Sequence, residues 1–146
     1  MKIMLINGPN LNRLGSREPS IYGKKTLDDM ITSLKDKATE LQCEVVARQS
    51  NHEGEIIDWI HDAGDCSEGL LLNAGAYTHY SYAIRDAVSS IQIPTIEVHL
   101  SNIYARESFR HTSVLAGVVV GQVAGLGSIG YELGLQGLIH YLKGEG

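Results

Sequence analysis

The sequence predicts an α/β fold: a doubly wound, five-stranded parallel sheet in a single domain. Three observations lead there. Five short apolar runs, each bounded by turn residues, punctuate the chain. Stretches with apolar residues at helical spacing lie between them. The 146 residues are the size of one domain, and strands alternating with helices at that length imply parallel strands with helical crossovers.

In chain order, residues 2–6 (KIMLI) form the first strand candidate. Leu27, Met30, Ile31, Leu34, Ala38 and Leu41 then repeat at helical spacing, with Thr26 as N-cap and Asp29 three residues on. Residues 43–48 (CEVVAR) are a β-branched run, and Ile56, Ile57, Trp59 and Ile60 mark the next helix. GLLLNAG at 69–75 is a buried run ended by glycine, followed by a helix from about 79 to 90. PTIEVHLS at 94–101 alternates, the fifth run lies within 113–125, and a last helix spans about 128–143. The natural strand order is the flavodoxin-like 2-1-3-4-5. No repeat, low-complexity tract or linker interrupts residues 1–146, so one domain is expected.

Composition narrows the function classes. Hydrophobic residues make up 43%, which argues against disorder. The formal charge of −5, with no Lys/Arg cluster, argues against nucleic acid as a partner. No apolar run is long enough to span a membrane, and Met1 leads directly into a short strand rather than a signal segment. Cys43 and Cys66 are expected as reduced, buried thiols of a cytoplasmic protein. The histidines lack metal-ligand spacing, so no metal site is expected. Gly125-Leu-Gly127-Ser-Ile-Gly130 matches a dinucleotide-binding spacing, but too little chain follows to complete the unit. Those glycines are expected to serve a tight turn and close helix packing.

In a doubly wound sheet, ligands bind beyond the carboxyl ends of the strands, where the strand order reverses. Strand 1 ends in Asn7-Gly8-Pro9-Asn10-Leu11-Asn12, strand 3 in Asn73-Ala74-Gly75-Ala76-Tyr77-Thr78-His79, and strand 4 in Glu97-Val98-His99-Leu100-Ser101-Asn102. Each asparagine taken singly reads as a turn or cap; three polar ends at one crevice point to a site. On strand 4, Glu97, His99 and Ser101 share a face. A carboxylate two residues from a histidine can fix its tautomer and favour its charged form, which suits a general acid. The segment SREPSIYG at 16–23 carries Arg17 and Tyr22 between Gly15 and Gly23. It reads either as a solvated loop or as a lid in which the guanidinium activates the phenol.

The blocks INGPNLNRLGSREPSIYG, NAGAYTHYSYAIRDA, EVHLSNIYARESFRHTSV and AGLGSIGYELGL, in this order and spacing, resemble the type II 3-dehydroquinate dehydratases of the shikimate pathway. The resemblance runs nearly end to end. It implies anti elimination of water from 3-dehydroquinate to give 3-dehydroshikimate, without metal, cofactor or Schiff base. It also implies residue roles. Tyr22 is the base, Arg17 its activator, and Asn10 the holder of a water that stabilises the enolate. His99, oriented by Glu97, is the acid, and Asn73 contacts the leaving hydroxyl. Backbone N–H groups near Leu100 and Ser101 take the substrate carboxylate, His79 and Arg110 hold ring hydroxyls, and Asp86 reaches a neighbouring subunit's site. Arg106 matches a further lid-region arginine. The assembly implied is a homo-oligomer, a dodecamer built from trimers. Tyr104 stands where the family pattern has a histidine, and Thr112 where it often has another. Ile103, Tyr104 and Phe109 near a strand end would suit an interface.

Two competing readings remain. An FMN- or phosphate-binding module on the same sheet would need a Ser/Thr-rich loop or an acidic pair after strand 1, where Asn-Gly-Pro-Asn-Leu-Asn stands. An inactive paralogue would lack Tyr22, Arg17 or His99, and all three are present. The 16–23 segment is expected to be mobile without ligand.

Overall fold

The computed structural model describes residues 1–16, 19–22 and 24–145, and for Pro19 and Tyr22 the backbone alone. Five strands, β1 (Lys2–Asn7), β2 (Glu44–Gln49), β3 (Gly69–Asn73), β4 (Thr95–His99) and β5 (Gly121–Ala124), form one sheet in the order β2-β1-β3-β4-β5. Every pairing is parallel. A single turn α1 (Pro19–Tyr22) precedes the longer helices α2 (Leu27–Glu40), α3 (Glu53–Cys66), α4 (Tyr82–Ser90) and α5 (Ile129–Leu142).

The period-two alternation of the strands decides which helix packs where. Ile3, Leu5, Leu71, Ile96 and Val98 point to one face and pack with Met30 and Leu34 of α2 and with Leu135 and Leu138 of α5. Met4, Ile6, Leu70 and Leu72 point to the other and pack with Ile56 and Ile60 of α3 and with Ile84 and Val88 of α4. Each of these large aliphatic side chains contributes about 1.5–3 kcal/mol by leaving water. The chain leaves β1 through α2 on one face and returns to β3 through α3 on the other. The strand order therefore reverses at β1/β3, and a crevice opens beyond their carboxyl ends.

Local chemistry sets the element ends. Thr26 and Asp29 form a reciprocal capping box on α2: the Asp29 N–H donates to Thr26 Oγ1 at 3.1 Å, and the Thr26 N–H donates to Asp29 Oδ2 at 3.0 Å. Those bonds hold the Asp29 carboxyl below its ordinary pKa. Gly125 (φ 87°) and Gly127 (φ 71°) make the turn between β5 and α5. Close helix packing falls to Gly134 rather than Gly130. A Cβ on Gly134 would come within 3.1 Å of Val98, whereas one on Gly130 would make ordinary contacts at 3.6 Å.

Several expectations need adjusting. The helix expected from 79 starts at Tyr82, because the Ser81 hydroxyl caps it and a 3-10 turn occupies Gly75–His79. Within 113–125 only Gly121–Ala124 pair with β4; Val114, Val118 and Val119 pack on the α3/α4 face without joining the sheet. Cys66 is exposed, and Cys43 is half-buried against the core on the α2/α5 side, so neither thiol is fully buried; burial raises the Cys43 thiol pKa. Ile103 is buried by its own chain, which removes it as an interface residue, while Tyr104 and Phe109 are exposed. No described helix is long and apolar enough to cross a membrane. The expected mobility of the 16–23 segment concerns, in large part, positions outside the described residues.

Candidate active site

The carboxyl ends of β1, β3 and β4 enclose a cleft of about 490 Å³, its open mouth included. Asn10, Asn73, His79, His99, Leu100, Ser101 and Arg110 all line it, together with Arg106. Seven expected residues, drawn from three strand ends and the loop after β4, thus meet in one place. Glu97 sits beneath, fully buried. Asp86 lies on the exposed side of α4 and is not among the cleft residues. Arg17 and the side chain of Tyr22 lie outside the described residues.

Glu97 and His99 are coupled as strand alternation requires. His99 Nε2–H donates to Glu97 Oε2 at 2.5 Å, which fixes the tautomer and leaves Nδ1 as the imidazole's remaining nitrogen. The other carboxylate oxygen, Oε1, accepts from Ser113 Oγ at 2.9 Å and from Gln122 Nε2 at 3.1 Å. Three donors therefore offset the burial of one carboxylate. Ser113 is itself aimed, because its oxygen accepts the N–H groups of Leu115 and Ala116.

His79 donates Nδ1–H to the Thr112 carbonyl at 2.9 Å and stacks near His99, with ring centroids 6.4 Å apart. Burial lowers its pKa; the Thr112 bond opposes this, and charge from His99 and Arg110 adds to the lowering. A neutral His79 presents Nε2 as an acceptor. Thr112 acts through its backbone carbonyl, so the contact does not depend on the side chain at that position. Tyr104 lies out on the exposed loop against His111.

Arg110 pairs with Glu107 at 2.8 Å and lies over the Phe109 ring. The same pair holds the Glu107 carboxyl below its ordinary pKa. Arg106 donates to the Ser101 hydroxyl at 3.3 Å. At the end of β4, no described group accepts from the backbone N–H of Leu100 or Ser101. Two arginines and two such N–H groups suit a ligand bearing a carboxylate. Asn10 adopts the left-handed conformation (φ 70°), and its N–H donates to Asn51 Oδ1 at 3.0 Å. Gln49 reaches the same Asn51 oxygen and the Gly8 carbonyl, bracing this turn from β2. Among the described residues, no group of three or more His, Cys, Asp or Glu side chains could hold a metal ion.

The family model for "Dehydroquinase class II" matches residues 1–139. The chain belongs to the class II dehydroquinases. It is 63% identical over 143 residues to a 3-dehydroquinate dehydratase of Halalkalibacterium halodurans, covering 98% of this chain and 97% of that one. It is 57% identical to the Bacillus cereus (strain G9842) protein of the same name, with 98% of each chain covered. Among solved structures, the type II dehydroquinase from Butyrivibrio crossotus superposes with a TM-score of 0.94 at 48% identity, over 95% of this chain and 97% of that one. The Propionibacterium acnes type II dehydroquinase does so with a TM-score of 0.90 at 46% identity, over 97% and 96%.

Within this class II dehydroquinase, the residues that sequence reasoning missed all stand behind the cleft. Ser113 and Gln122 hold Glu97, Asn51 and Gln49 hold the Asn10 turn, and Tyr131 bonds Asn73 from below. Gln122 had one usable signal: in a parallel sheet it is the register partner of Glu97, but only once β5 is known to begin at Gly121.

Proposed function

We propose that the chain is a 3-dehydroquinate dehydratase that removes water from 3-dehydroquinate to give 3-dehydroshikimate. The observation that carries this is the buried Glu97–His99 pair at the floor of a cleft lined by Arg106, Arg110 and the end of β4, where no described group accepts from the N–H of Leu100 or Ser101. The chemistry is a hydro-lyase reaction, an anti elimination through an enolate. A proton next to a ketone needs a base and a place for the enolate charge, while a β-hydroxyl needs an acid to leave.

In this reading Tyr22, activated by Arg17, takes the C2 proton. Its electron pair moves into the C3 ketone to form the enolate, and Asn10 holds the water that stabilises the enolate oxygen. The enolate then expels the C1 hydroxyl, which takes the Nδ1 proton of His99 and departs as water. Glu97 accepts the Nε2–H of His99, so the proton that the imidazolium gives up is the one on Nδ1. Asn73 contacts the leaving oxygen. The N–H groups of Leu100 and Ser101 take the carboxylate, and His79 and Arg110 hold ring hydroxyls. The chain acts as one catalytic domain in the cytoplasm, using no cofactor, in the shikimate route to aromatic amino acids. Asp86, on an exposed helix face, serves a neighbouring subunit's cleft, in a dodecamer of trimers.

The test is to mix purified protein with 3-dehydroquinate and follow the enone absorbance. Product formation is expected; none at any pH, with a folded oligomer confirmed, would refute the reading. Tyr22→Phe should nearly abolish turnover while ligand binding persists, and unchanged turnover would remove Tyr22 as the base.

A further inference from the structure

We propose that Tyr131 is a positioning residue: its hydroxyl locks the orientation of the Asn73 side-chain amide and so keeps an Asn73 N–H donor for the cleft. Tyr131 lies in the first turn of α5, 1% exposed, and is not among the cleft residues. Its single hydroxyl hydrogen goes to Asn7 Oδ1 at 2.5 Å. With that hydrogen committed, the hydroxyl can only accept from its second partner, and it accepts Asn73 Nδ2–H at 3.0 Å. From the other side, the Gly75 N–H donates to Asn73 Oδ1 at 3.2 Å. A flipped amide would set donor against donor at Gly75, so both contacts dictate one orientation.

The fixed orientation then decides which way Asn73 donates. Its oxygen accepts from Gly75 and one N–H goes to Tyr131, so the second N–H is held in place as a donor for a ligand. Asn7 and Asn73 are register partners on β1 and β3, so α5 ties together the two strand ends that flank the crevice. Burial raises the Tyr131 phenol far above its ordinary pKa, which keeps the hydroxyl protonated for its donation to Asn7. The inference rests on the dehydratase reading. A departing hydroxyl gathers negative charge, which an N–H stabilises and a carbonyl oxygen would oppose.

The experiment compares wild type, Tyr131→Phe, Asn7→Ala, Asn73→Ala and the Tyr131→Phe/Asn73→Ala double variant, by kcat and KM on 3-dehydroquinate. Tyr131→Phe is expected to lower kcat about tenfold, the worth of one oriented hydrogen bond, with KM within about twofold. Asn7→Ala releases the hydroxyl hydrogen and should lower kcat in the same way, although Asn7 does not line the cleft. The double variant should be no slower than Asn73→Ala alone. Unchanged kcat per folded molecule in Tyr131→Phe, or effects that multiply in the double variant, would overturn the assignment. If Tyr131→Phe fails to fold, an unchanged kcat in Asn7→Ala overturns it. Proton exchange at the Asn73 side-chain amide, followed by NMR, reads the geometry without substrate. Protection present in wild type and lost in Asn7→Ala supports the lock, and equal exchange refutes it. A wild type that gives no product but shows this protection would sink the dehydratase reading and leave the lock standing.

Discussion

Gly8 is where the cleft tolerates least. It follows β1, and its N–H donates to the Asn73 carbonyl at 2.7 Å, joining the β1 turn to the end of β3. A Cβ at Gly8 would lie 2.4 Å from the Ala74 carbonyl oxygen and 2.6 Å from its carbon. Both atoms are backbone, so no side chain can turn away. Ordinary contact begins near 3.4 Å, so Gly8→Ala must drive the two strand ends apart by about 1 Å. That displacement carries the Gly8–Asn73 hydrogen bond toward the limit of its range. Overpacking costs about 1–3 kcal/mol and the weakened bond about 1–3 more, against a total stability on the order of 5–15 kcal/mol. The variant should fold but melt lower. Because the separation falls between Asn10 and Asn73, a 1 Å error should lower kcat about a hundredfold. Urea unfolding and steady-state kinetics measure both effects. Gly54→Ala is the control, since nothing lies within 4 Å of the added methyl. A Gly8→Ala variant that matched wild type in both would refute the steric reasoning.

Three further outcomes can be checked. Glu97→Gln turns an amide N–H toward His99 Nε2 and favours the other, neutral tautomer, so kcat should fall by about 10²–10⁴; wild-type turnover in this variant would remove Glu97 from the acid's support. Thr26→Ala removes one half of the capping box and should cost about 1 kcal/mol, visible as a melting point lower by roughly 2–4 °C in circular dichroism. His79 is held neutral by burial, so its folded pKa lies below the unfolded value. Between the two the unfolded state binds the extra proton, and stability is lost as pH falls through about 6.5 toward the folded value. Wild type should therefore lose more of its melting temperature on acidification than His79→Gln does, and parallel losses would contradict this.

Strand and helix identities were legible where one period dominates. Ile3, Leu5, Met4 and Ile6 announce a strand covered on both faces, and Leu27, Met30, Leu34 and Ala38 a helix with one buried stripe. Glu97 and His99 were legible for the same reason, since alternation alone puts them together. The run at 113–125 misled because apolarity reports burial rather than pairing. Val118 and Val119 are half-buried against the α3/α4 side, and only Gly121–Ala124 form the strand paired with β4. Asn73 satisfies both of its sequence readings, turning the chain through Gly75 while lining the cleft. The supporting residues were hidden because their partners are remote: Tyr131 lies 124 positions from Asn7, and Gln122 lies 25 from Glu97.

That remoteness of Ser113 and Gln122 governs when the molecule becomes competent. Both donors to Glu97 Oε1 come from chain that follows β4, and Gln122 belongs to the edge strand. Without Ser113 and β5 the carboxylate would keep, among its described partners, His99 alone. The hydrogen bonds that hold Glu97 are therefore complete only when β5 has joined the sheet, and recovery of turnover during refolding is expected to follow the docking of that last strand.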